Sequence, residues 1–62
     1  MKAILRNTNL LVNTHKNKLK LNKEQLPCWQ PDELDHLEFN LVILVGYELY
    51  RVSSIDFDFI NN

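Results

Sequence analysis

The chain has 62 residues, 45% apolar and 24% charged, and this composition excludes an intrinsically disordered chain because enough apolar surface is present to offset the entropy of folding. The net charge of −1 hides a strong asymmetry: residues 1–23 carry six basic side chains and no acid, whereas residues 24–62 carry all eight acids against Arg51 alone. Local charges of +6 and −7 indicate association with charged partners and name no reaction.

The small size predicts a single compact domain over residues 1–62. One cysteine, Cys28, excludes an intramolecular disulfide. The longest apolar run, Leu41–Val45, is too short to span a bilayer, and the N-terminal apolar stretch ends at Arg6, before it reaches the length of a signal sequence. We therefore expect a cytoplasmic protein without a membrane partner. Its abundant lysine and asparagine favour a bacterial or phage accessory genome.

The basic third of the chain predicts β-strands. Residues 3–6 and 10–12 are short apolar segments separated by the turn-tolerant residues 7–9, so we expect two short strands or one kinked strand. Residues 16–21 alternate, with lysines on one face and Leu19 and Leu21 on the other. This period of two indicates a half-buried strand.

The middle of the chain predicts connecting segments. Asn22 is expected to cap one helical turn over residues 23–25, and residues 26–31, stiffened by two prolines, are expected to form a loop. Residues 31–37 predict one or two helical turns, because proline suits the first position of a helix and acidic side chains suit its N-terminal end.

The acidic half predicts the core of the sheet. Residues 38–45 are apolar at both parities towards their end, which is typical of a central strand covered on both faces. Gly46 is expected to end this strand and residues 47–52 to form the next. After a turn or bulge at residues 53–54, residues 55–59 alternate fully. The side chains expected to point inward there are Ile55, Phe57 and Phe59.

These elements predict a mostly β fold: a small antiparallel barrel or curled sheet of five or six strands, SH3-like, with one short helical connector. The alternative is a small α+β layer in which residues 23–37 form one longer element across an open sheet. In the β fold, Ile43 and Phe57 lie at the centres of their strands on the apolar face. We therefore expect both side chains to be fully buried.

The charge asymmetry has two interpretations. In the first, the strand at residues 16–21 pairs with the strand at residues 55–60, and opposite charges fix the register. In the second, the two strands lie apart, and each charged surface meets a complementary partner or another copy of the chain. The second interpretation predicts a homodimer in which a basic edge strand meets an acidic one.

Catalysis has little support in the sequence. Cys28, Asp35 and His36 lack a recognised metal-ligand spacing, and a single glycine excludes a Gly-rich phosphate loop. A catalytic thiol would need an electropositive cleft, for which so short a chain has little volume. We therefore predict no enzyme, no metal and no cofactor.

Trp29 is the most informative side chain for binding, because a proline-stiffened segment holds it and rigid aromatics dominate interface energetics. It is either a contact residue or a lid over one end of a barrel. Tyr47 and Tyr50 fall on opposite sides of their strand, so one of them is expected to point outward. The sequence thus favours a protein-binding module of the inhibitor, immunity or adaptor kind.

Nucleic acid is the alternative partner. The lysines of residues 16–20 form a basic ridge that suits a single strand, although the aromatic residues lie in the other half of the chain. Conversely, the acids of residues 32–38 resemble a row of phosphates, which suits a nucleic-acid mimic that blocks a nucleic-acid-binding protein. The residues expected to contact a partner are Trp29, Tyr47, Tyr50, Lys16, Lys18, Lys20, Asp32, Glu33 and Asp35.

Overall fold

The computed structural model describes residues 1–7 and 11–60, and every regular element in these two ranges is a β-strand or a 3₁₀ turn. In chain order the strands are β1 (Lys2–Leu5), β2 (Leu11–Asn13), β3 (Lys18–Lys20), β4 (Leu26–Trp29), β5 (Leu41–Val45), β6 (Glu48–Val52) and β7 (Phe57–Ile60). The 3₁₀ turns are Asp32–Leu34 and Ser54–Asp56. The mostly β prediction is confirmed, and the long element of the α+β alternative is not found.

Five of the strands form one antiparallel sheet in the order β6-β5-β4-β1-β7, and β2 pairs with β3 as a separate hairpin. The larger sheet has β6 and β7 as its two edges, which do not pair with each other. It is therefore open, and the expected SH3-like barrel is not confirmed. Among the described residues, an antiparallel bridge between Thr14 and Val52 joins the hairpin to the larger sheet.

One buried cluster joins the hairpin to the sheet. Val12, which pairs with Leu19 in the hairpin, and Leu21, just after β3, are buried with residues of β1, β4, β5, β6 and β7. Leu19 packs against them half-buried. The alternation predicted for residues 16–21 is confirmed at its lysines, which are all exposed. Ile43 and Phe57 are 0% exposed, as predicted. The hairpin thus covers one face of the sheet.

The prediction of a loop over residues 26–31 is wrong, because β4 lies in the centre of the sheet. The Cys28 N–H donates to the Met1 carbonyl at 3.1 Å, on the β1 side, so the nitrogen of Pro27 faces β5. Accordingly, the β4–β5 pairing covers only Cys28 with Ile43 and Trp29 with Val42. A proline is tolerated in this central strand because the ladder to β5 begins one residue after it.

Of the two predicted helical connectors, the first is absent and the second is a short 3₁₀ turn. Residues 23–25 form a bend in which the Glu24 N–H donates to the Asn22 carbonyl at 3.0 Å, so the expected helical turn is absent. Residues 31–37 contain only the 3₁₀ turn Asp32–Leu34 and the turns that follow it. For the turn predicted over residues 7–9, only Asn7 belongs to the described part of the chain, and it forms a bend. Residues 8 and 9 lie outside the described ranges, as does the start of the segment predicted at residues 10–12.

The start of the last predicted strand is also different. Ile55 lies in the 3₁₀ turn Ser54–Asp56 and is 74% exposed rather than inward-facing. The turn forms because the Ser53 hydroxyl accepts from the Ile55 N–H at 3.4 Å and its carbonyl accepts from the Asp56 N–H at 3.2 Å. Phe57 then enters the core, whereas Phe59, on the edge strand, stays 40% exposed.

The β5–β6 hairpin agrees with the role predicted for Gly46. The pairing closes with Val45 opposite Glu48, which leaves Gly46 and Tyr47 as a two-residue turn. Gly46 has a φ of +64°, and no other described residue has a positive φ. A positive φ at the first central position only is the requirement of a type II′ turn, which glycine meets without strain.

Candidate interaction surface

The pleat of the five-stranded sheet sorts its side chains into two faces. One set points into the core, and we call the opposite side the outer face. Seven of its ten side chains are apolar, and none of the ten is buried. The outer face comprises Lys2, Ile4, Pro27, Trp29, Val42, Leu44, Leu49, Arg51, Asp58 and Ile60.

Four of these residues form the outer-face patch, defined as Trp29, Val42, Leu44 and Leu49. Trp29 on β4 lies opposite Val42 on β5, and Leu44 on β5 lies opposite Leu49 on β6. Trp29 is 49% exposed and Leu49 is 61% exposed, while Val42 and Leu44 are half-buried. β5 is therefore fully buried only at Leu41 and Ile43 of its inner face, and the prediction of cover on both faces is wrong. Contiguous apolar surface of this kind marks interaction sites.

The three aromatic residues predicted to contact a partner lie in three different environments. Trp29 stands in the central strand β4, so no barrel end exists for it to cover. Tyr47 is fully exposed at the β5–β6 turn. Tyr50 lies opposite Ile43 and packs half-buried against the core, which confirms that only one of the two tyrosines points outward.

Tyr50 is further held by Glu48. Its hydroxyl donates to Glu48 Oε2 at 2.7 Å, and this hydrogen bond, with partial burial as a smaller cause, raises the pKa of Tyr50 above its ordinary value of 10.0. The bond fixes the phenol along the inner side of β6. Tyr50 is therefore less available to a partner than Tyr47 or Trp29.

The predicted basic ridge lies on the hairpin. Lys18 and Lys20 share the exposed side of β3 with Lys16 just before it, and the inward side of the hairpin faces the core. The lysines therefore point away from the outer face, and the structure does not bring them together with Trp29 or Tyr47. β3 pairs with β2, while β7 pairs with β1, so the first interpretation of the charge asymmetry, in which residues 16–21 pair with residues 55–60, is wrong. A local hairpin forms instead.

The acidic residues Asp32, Glu33 and Asp35 are all exposed on the connector between β4 and β5. Two of them occupy the first turn of the 3₁₀ segment. They form a solvated acidic loop.

Arg6 makes the one ion pair found among the described residues, and no local sequence pattern predicts it. Its Nε donates to Asp58 Oδ1 at 3.0 Å, and its Nη2 donates to the Phe57 carbonyl at 3.2 Å. The Arg6 N–H donates to the Asp56 carbonyl, so Asp56 and Asp58 direct their backbone groups to β1, while Phe57 and Phe59 direct theirs to the free edge. The Arg6 side chain therefore covers the start of the β7 edge.

A groove lies between the hairpin and the second 3₁₀ turn. It has a volume of about 410 Å³, and its lining includes Asn13, Lys18, Glu38, Phe39 and Asp56. Charges of both signs line it, and in the described ranges no buried side-chain polar atom lacks a hydrogen-bond partner. The groove therefore presents no unsatisfied group that would select a ligand.

The thiol considered for catalysis lies inside the sheet. Cys28 is buried on the inner face opposite Ile43, and burial raises the pKa of its thiol above 9.0, with a smaller opposing effect of the N-terminal charge. A thiol in this state is a weak nucleophile. Within residues 1–7 and 11–60, no group of three histidine, cysteine or acidic side chains is placed to hold a metal. No helix in the same ranges has the length and hydropathy to cross a membrane.

Comparison of the chain with protein-family models, with curated proteins and with solved structures finds no match. The outer-face patch is therefore identified as the candidate site from its geometry alone.

Proposed function

We propose that this chain is a protein-binding module of the inhibitor, immunity or adaptor kind, and that it docks through the outer-face patch. The observation that carries the proposal is the exposure of apolar side chains at neighbouring positions of three adjacent strands. A small domain gains by burying such a surface, because its own core is limited.

Trp29 is the expected anchor of the interface. Its backbone belongs to the central strand of the sheet, so the indole is held on a rigid element and little conformational freedom is lost on binding. Val42, beside it, and Leu49, at the sheet edge, extend the apolar area. Aromatic residues in such settings commonly account for about 2 kcal/mol or more of binding free energy.

A protein partner is favoured over nucleic acid by the arrangement of charges and aromatics. Binding of a single strand combines stacking aromatics with a basic groove, whereas here the lysines of β3 and the exposed Trp29 are on opposite sides of the molecule. Among the ten described residues of the outer face, the charged ones are Lys2, Arg51 and Asp58, and Asp58 is paired with Arg6. Arg51 directs its Nε and Nη2 to the Phe39 carbonyl at 3.3 and 3.2 Å.

The test uses a tagged form of the chain to capture its partner from extracts of the source organism, followed by calorimetry with the purified partner. Trp29→Lys should weaken binding by about 30-fold or more, the equivalent of one interface hot spot. Ile55→Lys is the matched control, because Ile55 is exposed and apolar but lies off the sheet, in the second 3₁₀ turn. Equal affinity of the Trp29→Lys variant and the wild type would show that the patch is not the binding surface.

A homodimer through the basic and acidic edges remains a second, separate proposal. β3 and β7 are both terminal strands of their sheets, which is compatible with pairing of two copies. The Asp58 carboxylate and the Phe57 carbonyl accept hydrogen bonds from Arg6, so fewer acceptors of β7 are free for a second copy. Sedimentation at low salt tests it: Lys18→Glu with Lys20→Glu should weaken the dimer, and adding Asp56→Lys with Asp58→Lys should restore it. A wild-type monomer at high micromolar concentration would exclude it.

A further inference from the structure

The β6 edge exposes backbone groups next to the outer-face patch. The two-residue turn makes Val45 and Glu48 the hydrogen-bonded closing pair of the hairpin, and bonded and non-bonded pairs alternate along an antiparallel ladder. Leu44 and Leu49 are therefore a non-bonded pair, and the N–H and C=O of Leu49 point away from β5. Since β6 is the terminal strand, these groups point out of the sheet.

The molecule itself demonstrates that this edge accepts an antiparallel strand. Thr14 bridges to Val52, and the His15 N–H donates to the Arg51 carbonyl at 3.1 Å. Arg51 and Leu49 are two residues apart, so they present their backbone groups on the same side of β6. One half of the edge is thus occupied by the end of the β2–β3 hairpin.

The hairpin then leaves the edge for an identifiable reason. The Thr14 hydroxyl donates to the Asn17 carbonyl at 2.7 Å and accepts from the N–H groups of Lys16 and Asn17 at 3.2 and 3.0 Å. This turn directs the chain away after His15. None of the strands in the described ranges pairs with β6 beyond that point, so the stretch from Tyr47 to Tyr50 keeps a free edge.

We infer that an extended strand of the partner protein adds antiparallel to β6 along residues 47–50. The inference rests on the proposed function and names the partner's binding element. Strand addition derives its affinity from backbone hydrogen bonds and its selectivity from alternate side chains. The residue that pairs with Leu49 lies on the outer face, next to the patch, and is apolar.

The other face of the added strand is basic. Its neighbours on β6 are Glu48, which is exposed, and Tyr50, whose hydroxyl is bound to Glu48 Oε2. A lysine or arginine at the alternate positions complements Glu48. The partner element is therefore an extended segment in which apolar and basic residues alternate.

The probe is a capped six-residue peptide of alternating valine and lysine, titrated into the ¹⁵N-labelled full chain. In the inferred register the valine N–H groups face β6 and the lysine N–H groups face solvent. N-methylation of the valines should weaken binding about tenfold or more, since backbone hydrogen bonds are lost, whereas N-methylation of the lysines should leave the affinity within about twofold. The Leu49 amide should show a large shift and slowed exchange in the complex.

Two further arms test the site and the charge. Leu49→Pro removes the edge N–H and should abolish peptide binding, while Phe59→Pro, which removes an N–H from the free edge of β7, should retain it. A valine–glutamate peptide should bind more weakly than the valine–lysine peptide. If Leu49→Pro does not fold, the N-methylated peptides decide the question on the wild-type chain.

Equal affinity of the two N-methylated peptides, or no binding at millimolar concentration, would overturn strand addition. Equal affinity of the valine–glutamate peptide would overturn the basic character of the partner strand. Self-association that Leu49→Pro removes would make a second copy the occupant and overturn a foreign strand. Loss of the captured partner in Trp29→Lys, with no effect of valine methylation, would leave the proposed function standing without the strand. Weaker binding on valine methylation, with the partner still captured by Trp29→Lys, would support strand addition and overturn the patch as the docking surface.

Discussion

The two faces of the five-stranded sheet carry similar side chains in different environments. On β5, Leu41 and Ile43 of the inner face are 0% exposed, whereas Val42 and Leu44 of the outer face are only half-buried. The difference arises from the β2–β3 hairpin, which adds Val12 and Leu21 to the inner cluster. Composition alone therefore does not distinguish the face that stabilises the fold from the face that is available for binding.

The largest expected effect is a loss of stability when Phe57, on the inner face, is truncated. Truncation of this fully buried side chain to alanine should lower the free energy of unfolding by about 3–5 kcal/mol, which is comparable with the whole stability of a small domain. Phe59→Ala on the same strand is the control and should cost about 1 kcal/mol, because this ring is 40% exposed. Thermal melts followed by circular dichroism compare the two. Similar melts of Phe57→Ala and the wild type would contradict the placement of Phe57.

Valine-to-threonine substitutions, which keep the shape of the side chain, compare how far the two faces of the sheet are enclosed. Val52→Thr buries a hydroxyl at a fully enclosed position of the inner face and should cost about 1–3 kcal/mol. Val42→Thr places the same hydroxyl on the half-buried outer face and should change stability by less than about 0.5 kcal/mol. Urea denaturation measures both. Equal losses would mean that the outer face is as enclosed as the inner one.

Thr14→Val tests what keeps the hairpin in place. The substitution removes the hydroxyl that bonds Lys16 and Asn17, and it should cost about 1 kcal/mol. Hydrogen exchange should accelerate first in β2 and β3, with increased binding of an apolar dye as the inner face becomes accessible. Asn13→Ala, at an exposed position of the same hairpin, should leave both readouts unchanged. An unaltered exchange pattern in Thr14→Val would show that its hydroxyl does not hold the hairpin.

The smallest effect concerns Cys28 and pH. Because burial raises the pKa of the folded thiol above 9.0, its contribution to stability is complete below pH 9 and declines as the pH rises through the folded value. Chemical denaturation between pH 8 and 10 should show a shallower decline in Cys28→Ala than in the wild type. Moving the thiol to the outer face with Trp29→Cys in the Cys28→Ala background should accelerate alkylation. Alkylation of wild-type Cys28 at the rate of the unfolded chain would contradict its burial.

The sequence predicted well those features that local alternation determines. Phe57 lies in a run whose period of two fixes its inward side, Ile43 lies at the centre of an apolar run, and Gly46 marks a turn that requires a positive φ. It failed where a single long-range pairing overrides the local pattern: Pro27 argued for a loop, yet β4 is central because its Cys28 N–H faces β1. Ile55 fits the alternation of β7 but is removed from it by the Ser53 turn.

The candidate site was predicted only in part, for the same physical reason. Trp29 and Tyr47 were identified from residue type, and both are exposed. Val42, Leu44 and Leu49 were missed because an apolar run at both parities resembles a strand buried on both faces, and only the position of the hairpin determines which face is left open. The pairing of Arg6 with Asp58 depends on the β1–β7 register, which composition does not specify.

We propose that the outer face of the sheet binds the partner while the inner face and the hairpin stabilise the fold. Amide and indole chemical-shift mapping of the ¹⁵N-labelled chain with its purified partner tests this claim most directly. We expect the largest shifts on Trp29, Val42, Leu44 and Leu49, with little change at the hairpin lysines. Shifts centred on Lys18 and Lys20, with the Trp29 indole unmoved, would contradict it.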